Sequence, residues 1–302
     1  MKNLPNFLII GPPKCASTSL HYYLGQHPDV FMSPTKETNF FTHDYYKGLD
    51  FYAQYFIKAK TERAIGEATP SYFFLPFAAD RIKKDLPNAK LIVTLRNPVE
   101  RAFSHWLMFK EAGVEKKSFR EAIKINLQQM QEYNFEAEKG AALWDKRKNT
   151  AGDNENWTRI YIQPGMYAEC LNEYYKRFKP EQMHIVFLED IKENFTDTIK
   201  GIFKFLKVDE NFKVENTEAK NFYFNKKYFR FIQKLTGVKT ARYISGILPS
   251  NFKKVFKQKQ AAVKTIPKIS DEDRAFLQDL FLPDIKQLEK ITNRSLDNWI
   301  NH

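Results

Sequence analysis

The chain has 302 residues, 43% of them hydrophobic and 15% aromatic, enough apolar material to bury one large α/β core or two small ones. Lysine and arginine number 48 against 36 aspartate and glutamate, and this charge of +12 directs attention to acidic partners: a phosphorylated cofactor, a sulfated or uronic sugar, nucleic acid or an anionic membrane. With only Cys15 and Cys170, a disulfide scaffold and a thiolate zinc cluster are excluded, and a reducing cytoplasm is the expected location.

At the N-terminus the apolar run Phe7–Ile10 is too short for a signal-peptide core or a membrane span, and no other stretch is long enough to cross a bilayer. Phe7–Gly11 (FLIIG) reads instead as a buried parallel strand. Pro12 and Pro13 forbid helix directly after it, and a helix with Leu20, Tyr23 and Leu24 on one face then opens with Ser17 or Thr18 as its N-cap. The same strand, loop and helix order recurs at Leu91–Leu95 (LIVTL), followed by Arg96-Asn97-Pro98 and a helix holding Ala102, Phe103 and Trp106. It recurs again at Ile185–Leu188 (IVFL), followed by one helical stretch through Phe203 to Leu206. Helical spacing also covers Pro76–Leu86, Phe119–Gln131, Met166–Phe178 and Asp271–Ile291. Strands alternating with helices predict an α/β fold: a parallel sheet covered by helices on both faces. One domain over 1–302 is expected, with 110–157, which lacks any strand signal, as a helical insertion or lid, and the polar Asn149–Trp157 as an exposed loop.

The charge is unevenly placed. Lys220 through Lys268 holds thirteen basic residues and no carboxylate, leaving 35 basic against 36 acidic residues elsewhere. Aromatics such as Phe222, Tyr228, Tyr243 and Phe256 are interleaved with these cations. The pattern fits a solvated helical face, an anion-binding lid or a surface facing an anionic membrane.

In an open parallel sheet, ligands sit beyond the carboxyl ends of the strands, which places Gly11–Ser19 (GPPKCASTS) where a phosphate would bind. Lys14 contributes a charge there, Ser17, Thr18 and Ser19 contribute hydroxyls, and the backbone amides of Cys15 and Ala16 join them. The ATP-binding loop G-x-x-x-x-G-K-[ST] is not matched, because the second glycine and the lysine directly before a hydroxyl residue are both missing. Arg96 ends its strand beside this loop, and Ser104 follows eight residues later. A helix starting at Pro98 would return its second turn to the phosphate that the Arg96 guanidinium clamps.

Several blocks, taken together, resemble the sulfotransferases that use 3′-phosphoadenosine 5′-phosphosulfate (PAPS), in the branch of heparan sulfate sulfotransferases and their bacterial relatives. Ile10–Leu20 looks like the family's 5′-phosphosulfate loop, Lys36-Glu37-Thr38-Asn39-Phe40-Phe41 like its K-E-x-x-F-F block, and Leu95–Ser104 like the R-[DN]-P-x-x-R-x-x-S block that binds the 3′-phosphate. Tyr46–Tyr52, Asn221–Asn225 and Leu296–Trp299 also agree with the family. The resemblance implies a metal-free transfer of sulfuryl from PAPS to a hydroxyl or amine of a carbohydrate or lipid-linked acceptor, with PAP as product. It implies Glu37 as the base and Lys14 at the bridging oxygen, with Arg96 and Ser104 on the 3′-phosphate. The family's late K-G-R-x-H-P loop is not recognisable; its nearest match, Val263–Pro267, offers Lys264 as a cofactor contact, and Lys227 is a further contact if the basic segment closes over the cofactor. His43 and His105 are alternative bases, and Glu67 corresponds to a block lining the family's acceptor cleft. Some carbohydrate-acting members carry His at the Asn39 position and Lys at the Ala68 position, and their absence here argues against a heparan-like acceptor. A P-loop kinase is the alternative enzyme, disfavoured by the loop. A nucleic-acid module rests on charge alone, with no recognition motif. The expected location is cytoplasmic and peripheral at an anionic membrane surface.

Overall fold

The structure, a computed structural model, describes residues 3–132, 139–144, 159–217 and 267–300. Its centre is a five-stranded parallel sheet in the order β2-β3-β1-β4-β5, formed by β1 (Phe7–Gly11), β2 (Val30–Met32), β3 (Ala64–Ala68), β4 (Lys90–Leu95) and β5 (Met183–Phe187). β1 is a strand over the residues expected, and β4 and β5 each begin before their apolar runs. β2 and β3 carry no clear pattern in the sequence. β3 reads AIGEA, and Gly66 is required there because a Cβ would stand 2.4 Å from the Phe7 ring on the neighbouring strand.

Strand residues alternate between two faces, as period-two geometry demands. Phe7 and Ile9 pack with Leu20 and Leu24 of α1 (Ser17–Leu24) and, towards the C-terminal half, with Ile199, Ile202 and Phe203. Leu8, Ile10, Leu91, Val93 and Leu95 turn the other way. That second face is covered by α3 (Pro76–Asp85), which follows the short α2 (Gly48–Ala53), and by α4 (Pro98–Glu111), with α5 (Phe119–Glu132) against α4. It is completed by α6 (Tyr167–Tyr175). Beyond β5 the chain forms two helices rather than the single stretch expected, α7 (Leu188–Glu193) and α8 (Phe195–Leu206), because Asn194 between them has non-helical backbone. α9 (Asp271–Thr292) opens on a Ser270 cap accepting from the Asp273 amide at 3.1 Å, and α10 (Asp297–Ile300) follows.

Where described, the 110–157 span holds the end of α4, a non-helical connection over 112–118, α5 and a helical piece over 139–144. The chain returns from it at Arg159, whose buried guanidinium grips Glu115 through Nε–Oε2 at 2.8 Å and Nη2–Oε1 at 3.0 Å. Tyr161 donates its hydroxyl to the same carboxylate at 3.0 Å, and Asn126 Oδ1 of α5 accepts from the Tyr161 and Ile162 amides at 2.7 and 2.9 Å. These bonds compensate the desolvation of a fully buried ion pair and fix where the insertion leaves and rejoins the sheet layer. Asn149–Trp157 and the greater part of Lys220–Lys268, including Lys227 and Lys264, lie outside the described residues.

Candidate functional site

From β1 the chain runs through α1 to β2 on one side, and from β3 it runs through α3 to β4 on the other, so the sheet's topology switches direction at β1 and β4. Their carboxyl ends therefore open the crevice in which doubly wound sheets bind ligands. At the end of β1, Gly11 adopts φ +109°, and a Cβ there would meet the Pro70 carbonyl oxygen at 2.4 Å. Lys14 and Ala16 both take positive φ, 71° and 63°, a left-handed conformation costly for residues with a Cβ. Such alternation of hand turns successive amides inward and makes an anion-binding concavity.

The N-cap expectation is corrected here. The cap of α1 is Ala16, which has no side chain able to bond, and Ser17 and Thr18 are the first helical residues. The helix's first internal bond runs from the Leu20 amide to the Ala16 carbonyl at 3.0 Å. The amides of Ser17, Thr18 and Ser19 thus open onto the loop without intrahelical partners, at the positive end of the dipole. Half-buried Lys14 beside them has its pKa lowered, chiefly by burial and next by Arg96, with Lys36 adding to the effect.

Arg96 follows β4 directly, and Asn97 caps α4 by accepting from the Val99 and Glu100 amides at 3.0 and 3.3 Å. Glu100 stands 3.6 Å from Arg96 but only 2.6 Å from Arg274 of α9, so it is held mainly by the latter. Ser104 lies half-buried in the second turn of α4. Tyr167 joins loop and strand end: its hydroxyl donates to the Arg96 carbonyl at 2.7 Å and lies 3.8 Å from Cys15 Sγ. Burial pushes the Cys15 thiol up to about 11, so it is a packed thiol in the loop wall rather than a thiolate.

Glu37 reaches the same edge from β2. Its amide donates to the Ala68 carbonyl at the end of β3, 2.9 Å away, and its φ is +57°. Its side chain is 51% exposed and pairs with Lys36 Nζ at 3.0 Å. Asn39 Nδ2 donates to the Glu37 carbonyl at 2.7 Å. Glu67 does not line a cleft: it is fully buried, one residue before the strand end on which Glu37 docks. Four hydroxyls donate to its carboxylate, from Thr38 (2.9 Å), Tyr52 (3.1 Å), Tyr72 (2.9 Å) and Thr69 (2.6 Å). Burial raises its pKa and these bonds partly oppose the shift. Because Thr38 follows Glu37 directly, Glu67 anchors the Glu37 turn from below.

The structure brings Lys14, Arg96 and the Lys36–Glu37 pair to one sheet edge, with the loop amides between them. His105 instead packs in the core against Phe109 and Tyr161, and His43 Nε2 accepts from Trp144 Nε1 at 3.1 Å. Sequence reasoning missed Lys36, though it stands in the quoted K-E block. It also missed Tyr167, whose partner is distant in sequence, and the burial of Arg101, which stands in the quoted Arg96 block.

The fold and this edge define a P-loop-like α/β protein whose strand-to-helix loop has the geometry that suits an anion. The chain belongs to the sulfotransferase domain family, whose family model matches residues 4–290. It is similar to the crystal structure of a sulfotransferase from Alicyclobacillus acidocaldarius, with a TM-score of 0.69 and 25% identity over 98% of this chain and 99% of that one. It is 42% identical over 106 residues to the membrane-associated sulfotransferase kil1 of Dictyostelium discoideum, covering 34% of this chain and 22% of that protein. It is 27% identical over 307 residues to the bifunctional heparan sulfate N-deacetylase/N-sulfotransferase 1 of Mus musculus, covering 98% of this chain and 31% of that protein. The chain thus spans less than half the length of these curated relatives. Among the described residues, no helix is long and apolar enough to cross a membrane.

Proposed function

We propose that this protein transfers a sulfuryl group from PAPS to a hydroxyl or amine of a carbohydrate or lipid-linked acceptor. The observation that carries the reading is the convergence of Lys14, Arg96 and Glu37 at the carboxyl ends of β1, β4 and β2, around a loop whose first-turn amides have no side-chain cap. Cations, outward amides and hydroxyls suit a ligand with a 5′-phosphosulfate and a 3′-phosphate. The loop residues Lys14 to Ser19 would hold the former, and Arg96 with Ser104 the latter, with Lys227 and Lys264 as proposed contacts from the basic segment. PAPS supplies an activated sulfuryl group on a phosphate leaving group.

Glu37, whose side chain is exposed at the edge, accepts the acceptor's proton as the acceptor's oxygen or nitrogen bonds to sulfur. The bridging S–O bond breaks, and its electron pair leaves on the phosphate of PAP, where Lys14 stabilises the charge. Lys36 holds the Glu37 carboxylate on the Lys14 side of the edge. A kinase reading gains nothing from this loop, which lacks the glycine–lysine–hydroxyl ending that cradles ATP.

Relatives named for carbohydrate sulfation support a sugar acceptor, and the basic segment supports a peripheral position on an anionic surface of the cytoplasm. The single domain with a helical insertion over 110–157 is kept as part of the proposal. A panel of sugar and glycolipid acceptors incubated with radiolabelled PAPS tests the activity, and label retained wholly in PAPS across the panel contradicts it. Co-sedimentation with phosphatidylserine vesicles but not phosphatidylcholine vesicles tests the location.

A further inference from the structure

Arg101 is a charged side chain in an unusual position. It sits on the core-facing side of α4, one turn after Arg96, and is fully buried. One N–H donates to the Tyr161 carbonyl, while Nε and Nη1 have no hydrogen-bond partner among the described residues. Among the described residues no carboxylate lies within ion-pair distance of it. Its electrostatic neighbours are Tyr167 and Cys170 of α6, Cys15 of the loop and Arg96. Hydroxyl, thiols and a second cation surround it, where a buried guanidinium ordinarily requires an acidic partner.

The same layer contains the ordinary solution. Arg159 is equally buried and holds Glu115 through two bonds at 2.8 and 3.0 Å. The two buried arginines differ in place. Arg159 secures the insertion, whereas Arg101 Nε lies beside Gly165, two residues before Tyr167, within electrostatic reach of Tyr167 and Cys15, whose contact joins Lys14's loop to Arg96's strand end. An arginine keeps its proton under these conditions. A cation fixed in low dielectric acts through space more strongly than an exposed one.

We propose that Arg101 is a positioning residue whose counter-charge is the bound nucleotide: it adds a buried, permanent positive charge behind the phosphate site without touching the ligand. The inference rests on the PAPS reading above. It assigns to Arg101 a share of cofactor affinity that the half-buried residues Lys14 and Arg96 do not account for.

The test is titration of the full chain with PAP at fixed ionic strength, for the wild type, Arg101→Met and Arg101→Lys. Arg101→Met is expected to bind PAP about tenfold more weakly. Arg101→Lys is expected to bind like the wild type near pH 7 and progressively more weakly towards about pH 9, because burial lowers a lysine pKa and leaves arginine charged. Of the groups facing the site, the Cys15 thiol is pushed up to about 11, and Cys170 and Tyr167 are raised further by burial. Tyr161 spends its hydroxyl on Glu115. Lys14 has a lowered pKa, and its contribution is common to all variants and is subtracted as the wild-type profile. Wild-type affinity in Arg101→Met, or a pH profile in Arg101→Lys that superimposes on the wild type, overturns the inference. If Arg101→Met does not fold, the Arg101→Lys profile decides alone. Failure of the wild type itself to bind PAP refutes the proposed function instead.

Discussion

The two halves of the sheet's carboxyl edge solve the burial of charge in opposite ways. On the β2 and β3 side, Glu67 is fully buried yet complete, with four hydroxyls donating to it. On the β1 and β4 side, burial lowers the Lys14 pKa, Arg96 lowers it further, and the loop amides have no side-chain cap. The first half is finished by the protein and serves as a rigid footing for Glu37. Among the described residues the second half has no such internal partners, and the proposed phosphorylated donor would supply the missing anion. That asymmetry suits a transfer in which a phosphorylated donor binds on one side and a neutral acceptor gives up its proton on the other.

The sharpest way to separate the halves is Glu37→Gln. Turnover should fall by roughly 10²–10⁴, the usual contribution of a positioned general base, while PAP affinity stays near normal. Retained turnover would move the base elsewhere along the edge. Glu67→Ala attacks the footing: it leaves the Thr38, Tyr52, Thr69 and Tyr72 hydroxyls without their common acceptor, and should lower unfolding free energy by about 3–5 kcal/mol. Glu67→Gln should recover part of that loss, and denaturant midpoints measure both. Identical midpoints for all three proteins would show that the hydroxyl cluster does not support the turn.

A smaller effect tests the anion side. Lys14 must be charged to hold phosphate, and its folded pKa lies below the ordinary lysine value of 10.5 because burial and Arg96 disfavour the cation. PAP affinity should therefore fall as pH rises through that lowered value, before an exposed lysine would lose its proton. Lys14→Arg keeps its charge and should flatten the decline. An unchanged decline in that variant would assign the titration to another group.

Much of this arrangement is legible in the residues. Continuous apolar runs mark β1 and β4, helical spacing marks α3, α5 and α9, and the loop, the Arg96 block and the Lys36–Glu37 block announce the site. β2 is too short, at three residues, to show a period, and β3 hides behind Gly66 and Glu67, whose environment depends on register against β1. The Ser17 or Thr18 cap fails for a local reason. Lys14 and Ala16 adopt left-handed backbone that neither residue type advertises, so the cap falls on Ala16, one residue before the first hydroxyl that would have served. Tyr167 stands 71 residues from the Arg96 carbonyl it holds, a distance that no local pattern bridges. The burial of Arg101 is hidden for another reason: the residue stands in the quoted Arg96 block, but a charged residue in an amphipathic helix reads as solvated, and only the packing of α6 and the Tyr161 segment shows it buried.

Thermal or chemical unfolding of the full chain with PAP and with ATP, each at matched excess, tests the central claim most directly. PAP at about 100-fold over its Kd should stabilise the protein by roughly 2.7 kcal/mol. ATP, lacking a 3′-phosphate for Arg96 and Ser104, should do much less, and Arg96→Ala should abolish the difference. Equal stabilisation by the two nucleotides, or a difference that survives Arg96→Ala, would contradict the account.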